Sequence, residues 1–129
     1  MLKRLPPRVT RFGPAALIML AIFAFSSTPS TSLPNYGAWD WVAKKGAHAF
    51  GYALLGAAYA HALQPSGRPT VRQSILAVIL AALYASSDEW HQSFTAGRHP
   101  AWTDVLIDTL GASVGVSVFK WWRHQRPKP

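Results

Sequence analysis

The chain contains no cysteine, which excludes disulfide bonds and thiolate metal ligands. Acidic residues are also scarce, since five Asp and Glu stand against 13 Lys and Arg. Charged residues make up only 14% of the 129 residues, whereas half of the chain is hydrophobic. An ordinary soluble domain contains about 25% charged residues. This length and composition indicate one domain that is unusually apolar.

Four apolar runs have a length close to that of a membrane span: residues 12–28, 46–63, 71–87 and 104–122. About 20 mostly apolar residues cross the hydrocarbon core of a bilayer, and about 17 is the lower limit. Proline and glycine lie in the connectors between the runs, where helices are expected to end. All six tryptophans fall at or near run boundaries, a position typical of the membrane–water interface.

Basic and acidic residues occupy alternate connectors. The two termini and the connector between the second and third runs hold ten basic residues and no acid: Lys3, Arg4, Arg8, Arg11, Arg68, Arg72, Lys120, Arg123, Arg126 and Lys128. All five acids lie in or beside the other two connectors: Asp40, Asp88, Glu89, Asp104 and Asp108. Cytoplasmic loops carry an excess of Lys and Arg. The sequence therefore predicts an all-α integral membrane protein with four transmembrane helices and both termini in the cytoplasm.

The predicted boundaries are a basic cytoplasmic N-terminus at residues 1–11, a transmembrane domain at 12–122 and a basic tail at 123–129. The first run also resembles a signal peptide, with basic residues, an apolar stretch at 15–25 and the small-x-small sequence "AFS". Cleavage there would leave three helices. A soluble helical bundle is the other alternative, and the alternating charges argue against it. No nucleic-acid partner is predicted, because the basic residues flank apolar runs and no recognised nucleic-acid module is visible.

The second run begins with a polar helix face. Lys45, His48 and Tyr52 follow one another at spacings of three and four residues, which places them on one side of a helix. Ionisable groups inside a membrane are costly and are therefore functional candidates. A lysine that reaches the interface, with His48 and Tyr52 bonded to a neighbouring helix, would explain the same pattern without a function.

The third run ends with two adjacent carboxylates, Asp88 and Glu89, and with Gln92 one turn after Asp88. The C-terminal end of a helix is negative, so these acids need a partner from outside the helix. Arg98 is the one Lys or Arg in the connector that follows. The group could form a catalytic or binding site, or it could simply fold back onto Arg98 and Lys45 and fix the loop.

The last run starts at Asp104, which we predict to be an N-cap, and places Asp108 one turn deeper. Gly111 and Gly115 continue the same face, and their spacing allows another helix to approach closely. Asp108 is therefore expected to point into the bundle, and the glycines are candidates for contact between two copies of the chain. No metal or other cofactor is predicted, because there is no His-Glu-x-x-His pair and no tight multi-histidine motif.

The segments "KGAHAFGY" and "DEWHQSFTAGRHPAWTDVLIDTLGASVG" together resemble the VanZ-like family of membrane proteins, over residues 44–115. The positions that match its motifs are Lys45, His48, Tyr52, Asp88, Glu89, Gln92, Phe94, Arg98, Asp104, Asp108, Gly111 and Gly115. The chain departs from the family at Ala49, where an aromatic residue commonly follows the histidine, and at Asp108, where asparagine is frequent. Because a carboxyl group can be charged and an amide cannot, the second departure leaves open whether position 108 carries a charge.

The resemblance implies a location in the bacterial cytoplasmic membrane and a link to the cell envelope and to glycopeptide (teicoplanin) resistance. It implies no particular reaction. We expect a pocket at the outer membrane face that binds or acts on an anionic lipid-linked envelope precursor. The expected catalytic residues are Glu89, His48 and Asp88; the expected ligand-binding residues are Lys45, Tyr52, Gln92, Arg98, Asp104 and Asp108. The alternatives are a small transporter or proton-coupled carrier and a structural partner in an envelope complex.

Overall fold

A computed structural model describes residues 6–127 of the chain. Within that range the chain forms five α-helices, which we label α1 (Pro7–Arg11), α2 (Gly13–Ser27), α3 (Asp40–Leu63), α4 (Val71–Gln92) and α5 (Trp102–Gln125). Two single turns of 3-10 helix, Ser30–Ser32 and Gly37–Trp39, lie between α2 and α3. The prediction of an all-α protein is therefore confirmed. Lys3, Arg4 and Lys128, three of the basic residues in the predicted cytoplasmic ends, lie outside the described residues.

The helices continue beyond the apolar runs. α3 begins at Asp40 rather than at residue 46, α4 continues to Gln92 rather than ending at 87, and α5 spans Trp102–Gln125 rather than 104–122. The added turns are mostly polar and carry Lys44, Lys45, Asp88 and Glu89. Their charged side chains have partners within the same helix, on a neighbouring helix or in a connector.

The four longer helices form a bundle in which helices next to each other in sequence run in opposite directions, as their short connectors require. α3 and α5 consequently run in the same direction. Lys45 pairs with Asp104 near one end of these two helices, and Arg123 contacts His61 near the other. α2 is bound to α4 by Tyr84, whose hydroxyl donates to a main-chain carbonyl of α2 at 2.7 Å.

Small residues let α3 and α5 approach closely. A methyl group added at Gly111 would meet the backbone carbonyl of Ala49, and one added at Gly115 would meet that of Ala53. Gly56 on α3 faces the backbone of α5 in the same way. The Gly111 and Gly115 face, which we considered for contact between two copies of the chain, is therefore in contact with α3 of the same chain. Asp108 lies on this face and points into the bundle, as predicted.

The outer surface of the bundle is apolar. Leu20 on α2, Phe50 on α3, Leu83 on α4 and Leu110 on α5 each expose 63–66% of their surface. Several acids are buried instead, among them Asp108 at 1% exposure. Such an arrangement is typical of proteins that are surrounded by lipid.

α5 alone among the described helices is both long and apolar enough to cross a membrane, and α2 is apolar but shorter. α3 and α4 have the length of a span, yet their charged turns lower their hydropathy. The crossing of the membrane by all four helices and the cytoplasmic position of both termini remain predictions.

Replacing Gly115 with alanine is expected to lower the free energy of unfolding by about 1–3 kcal/mol, because the new methyl group meets the Ala53 carbonyl. Gly46→Ala is the matched control, since a methyl group there has nothing within 4 Å. That change is expected to be neutral or to stabilise the protein by up to about 1 kcal/mol. Thermal unfolding of the two purified variants and of the native protein in detergent measures both changes in stability. Equal unfolding temperatures for the two variants would contradict the packing described here.

Candidate functional site

A cavity of about 350 Å³ lies at one end of the bundle, where the C-terminal ends of α2 and α4 meet the N-terminal ends of α3 and α5. We call it the polar cavity. Seven of the predicted site residues line it: Lys45, His48, Glu89, Gln92, Arg98, Asp104 and Asp108. The remaining two, Tyr52 and Asp88, contact this group from deeper in the bundle. The structure therefore brings the predicted residues together.

The deepest part of the site is a cluster formed by His48, Tyr52, Asp88 and Asp108. Nδ1 of His48 lies 3.6 Å from a carboxylate oxygen of Asp108 and 3.9 Å from one of Asp88. The two carboxylate side chains are only 2% and 1% exposed, and the Tyr52 hydroxyl donates to Asp88 at 3.3 Å. Nε2 of His48 is buried and has no hydrogen-bond partner within residues 6–127. Both carboxylates therefore face the same nitrogen of the imidazole, at distances longer than a hydrogen bond.

Two lysines at the rim of the polar cavity are paired with carboxylates. Nζ of Lys45 contacts Asp104 across the α3–α5 interface, and Nζ of Lys44 donates to Asp40 one turn earlier in α3, at 2.7 Å. An anion that enters the cavity would have to compete with these carboxylates for the lysines.

Within the described part of the chain, no three His, Cys, Asp or Glu side chains are grouped in a way that could hold a metal ion.

Glu89 joins α4 to the start of α5. Its Oε2 accepts a hydrogen bond from the backbone N–H of Ala101 at 2.9 Å. α5 begins at Trp102, so Ala101 is the N-cap, and the prediction that Asp104 caps this helix is wrong. Alanine has no side chain that can cap the helix, and Glu89 from the neighbouring helix binds the N–H of the N-cap residue itself. A carboxylate is stabilised at this position because the N-terminal end of a helix is positive.

Arg98 holds the end of α2. Its guanidinium donates to the backbone carbonyls of Phe25 and Thr28, at 3.0 and 3.2 Å, and lies over the Phe25 ring. Phe25 lies in the last turn of α2 and Thr28 is the C-cap residue, where carbonyls have no partner four residues further along the helix. Partial burial lowers the pKa of Arg98 from its usual value, although the nearby carboxylates of Asp88 and Glu89 oppose that change. The expected hydrogen bond between Arg98 and these acids is not present among the described residues.

The sequence that carries these residues matches the model of a known protein family. The model of the VanZ/LLP1 family matches residues 8–123, which include every residue of the site. The chain belongs to the VanZ/LLP1 family. The resemblance drawn from the motifs is thus confirmed, and membership together with the apolar α5 indicates a membrane protein. No curated protein and no solved structure matches the chain.

Sequence reasoning missed part of the site in this VanZ/LLP1 protein. Asp40 and Lys44 also line the polar cavity, and their spacing of four residues could have indicated the pair. α2 contributes hydroxyl groups, since Gln92 donates to Ser26 at 3.4 Å and His91 lies 2.9 Å from Ser27. The serines that end the first apolar run were the available signal.

A second cavity of about 220 Å³ lies between α2 and α3, and we call it the apolar cavity. Its lining is apolar apart from one residue: Ile18, Ala21, Ile22, Phe25, Ala47, His48, Gly51 and Leu54. His48 is that residue, and it also lines the polar cavity. His48 is therefore the residue that these two cavities of the VanZ/LLP1 protein share.

Replacing Tyr52 with phenylalanine is expected to lower the free energy of unfolding by about 1–3 kcal/mol, because the buried Asp88 carboxylate loses a hydrogen-bond donor. Tyr36→Phe removes the same atom from a side chain that is 59% exposed and should leave stability unchanged. Chemical or thermal unfolding in detergent compares the two. If Tyr52→Phe unfolded at the same midpoint as the native protein, the Tyr52 hydroxyl would not stabilise the buried cluster.

Proposed function

We propose that this VanZ/LLP1 protein is a multi-pass protein of the bacterial cytoplasmic membrane, with α2–α5 as its four spans. Both termini would lie in the cytoplasm and the polar cavity at the outer face. Three observations support this topology: the alternation of basic and acidic connectors, the apolar outer surface of all four helices, and family membership.

The ligand that we propose is an anionic lipid-linked precursor of the cell envelope. The observation that carries this proposal is that His48 lines both the polar and the apolar cavity. A lipid-linked ligand has a charged head and an apolar tail, and it needs both environments side by side. Ligand sites are commonly apolar clefts with a few convergent polar groups. Neither cavity alone would select such a molecule.

Three cations are available for the head of the ligand. Lys44, Lys45 and Arg98 all line the polar cavity. A phosphate offers more charge and more acceptor oxygens than the carboxylates that now pair the two lysines, so it can replace them. The hydrogen bonds of Arg98 to α2 use Nε and Nη2, which leaves Nη1 for a ligand.

His48 is the group best placed for proton transfer at the bound head. Glu89 and Asp88 were the other candidates, but one oxygen of Glu89 is held by the Ala101 N–H. Nε2 of His48 has no partner among the described residues, and Asp108 lies behind Nδ1 and can orient the ring. Asp88 and Tyr52 are positioning residues in this account, because they contact the cluster from deeper in the bundle.

A proton-coupled carrier is the second candidate function. It is favoured by the deep burial of the His48, Asp88 and Asp108 side chains, which are at most 9% exposed. Intramembrane acids and histidines commonly form proton relays in transporters. Proton uptake by the reconstituted protein when a polyprenyl phosphate is added on one side would favour the carrier.

Binding of undecaprenyl phosphate to the purified protein tests the main proposal, and native mass spectrometry from a neutral detergent is the measurement. Gly51→Leu is expected to weaken binding of this lipid by about tenfold or more, because the leucine fills the apolar cavity that Gly51 lines. Lys45→Gln is also expected to weaken binding of this lipid, because it removes a cation from the site of the phosphate head.

Gly46→Leu is the matched control, since this glycine also lies in α3 and an added side chain has open space there. A short-chain phosphate, isopentenyl phosphate, distinguishes the contributions of the two cavities to binding. Its affinity should be lower than that of the long-chain lipid, unaffected by Gly51→Leu and reduced by Lys45→Gln. Equal affinities of the native protein and all three variants for undecaprenyl phosphate would refute the proposed site.

A further inference from the structure

The end of the bundle opposite the polar cavity contains cations and no acid. We call it the basic end; it comprises the C-terminal ends of α3 and α5, the N-terminal ends of α2 and α4, helix α1 and the connector 64–70. Seven described Lys and Arg residues lie there: Arg8, Arg11, Arg68, Arg72, Lys120, Arg123 and Arg126. All five acids of the chain lie toward the other end. The charge of the basic end must therefore be balanced from outside the chain.

Arg123 is the centre of this end and is held in place without a carboxylate. Its Nη2 donates to the Pro65 carbonyl at 2.9 Å and lies 3.1 Å from Nδ1 of His61. Its Nε is buried and has no hydrogen-bond partner in the described chain. Beside it, Nη1 of Arg68 lies 3.3 Å from Nδ1 of His124. The contacts of these guanidinium groups are thus to histidines and to a main-chain carbonyl, and none is to a carboxylate.

Aromatic rings lie next to these cations. The Arg126 guanidinium lies 3.9 Å from the centre of the Trp122 ring, and Arg123 also lies over it at 5.5 Å. Trp121 and Trp122 are 62% and 40% exposed. Arginine and tryptophan together are typical of the depth at which lipid headgroups lie, because the indole packs on lipid while the guanidinium binds phosphate.

We propose that Arg68, Arg123 and Arg126 form a binding site for the phosphate of an anionic phospholipid headgroup. The site is separate from the polar cavity and does not rest on the function proposed for it. A lipid fits better than a soluble anion, because exposed apolar side chains lie at the same end of the bundle as the arginines. Val71 begins α4 directly after the connector that holds Arg68, and Val118 lies one turn before Trp122 on α5; they expose 66% and 56% of their surface.

The test uses the full-length protein in neutral detergent, titrated with phosphatidylglycerol or with phosphatidylcholine, and native mass spectrometry counts the bound lipids. The native protein should prefer phosphatidylglycerol. Arg68→Gln/Arg126→Gln should lose that preference, with a decrease of about fivefold for each charge removed. Both arginines are exposed, so this variant is expected to fold. Arg123→Gln should show the same loss if it remains folded.

Arg11→Gln/Arg72→Gln is the matched control, because it removes two exposed charges from the same end without touching the contacts of Arg123. This control should keep most of the preference. An equal loss in the two double variants would overturn the proposal and leave only general attraction by charge. Equal binding of both lipids by the native protein would also overturn it. Displacement of the lipid by glycerol phosphate or by an oligonucleotide at similar concentrations would show a soluble anion site instead.

Discussion

The close approach of α3 and α5 is the constraint on which the rest of the structure depends. Gly111 and Gly115 have no side chain, so the backbone of α5 can lie directly against Ala49 and Ala53 of α3. That contact sets the rotation and the register of the two helices. Lys45 then meets Asp104, and one turn deeper His48 meets Asp108. A larger residue at this interface would separate both pairs and open the polar cavity along its whole length.

The same packing explains how the protein retains charge in its interior. Taking a carboxylate out of water costs several kcal/mol unless it is paired and hydrogen-bonded. Asp88 is surrounded by Tyr52, Gln92 and His48, and Glu89 lies at the positive end of α5. The polar atoms that remain without partners belong chiefly to His48, Asp88 and Asp108. The other such atom in the described chain is Nε of Arg123 at the basic end. Incomplete pairing is thus concentrated in one buried cluster, and such departures are expected at functional sites.

The sequence could predict the helices and most of the site, because apolar runs, charge alternation and helical spacing act locally. Lys45, His48 and Tyr52 fall on one face through spacing alone, and the glycine spacing correctly directed Asp108 inward. The contacts of the connectors could not be predicted in this way. Glu89 replaces a missing cap at Ala101, and Arg98 turns away from the acids to the end of α2. Both depend on how a loop folds back in three dimensions, for which no local pattern exists.

The central claim is that the polar cavity handles an anionic lipid-linked envelope precursor. The most direct measurement compares these precursors, by mass spectrometry of membrane extracts, in cells producing the native protein and in cells producing His48→Gln at equal membrane abundance. Glutamine is polar and close in size to histidine but cannot transfer a proton, so the variant removes the group proposed for that step, and equal abundance shows that the protein is retained. The account predicts that one lipid-linked precursor changes in amount or mass only in the variant. Identical precursor profiles would contradict it.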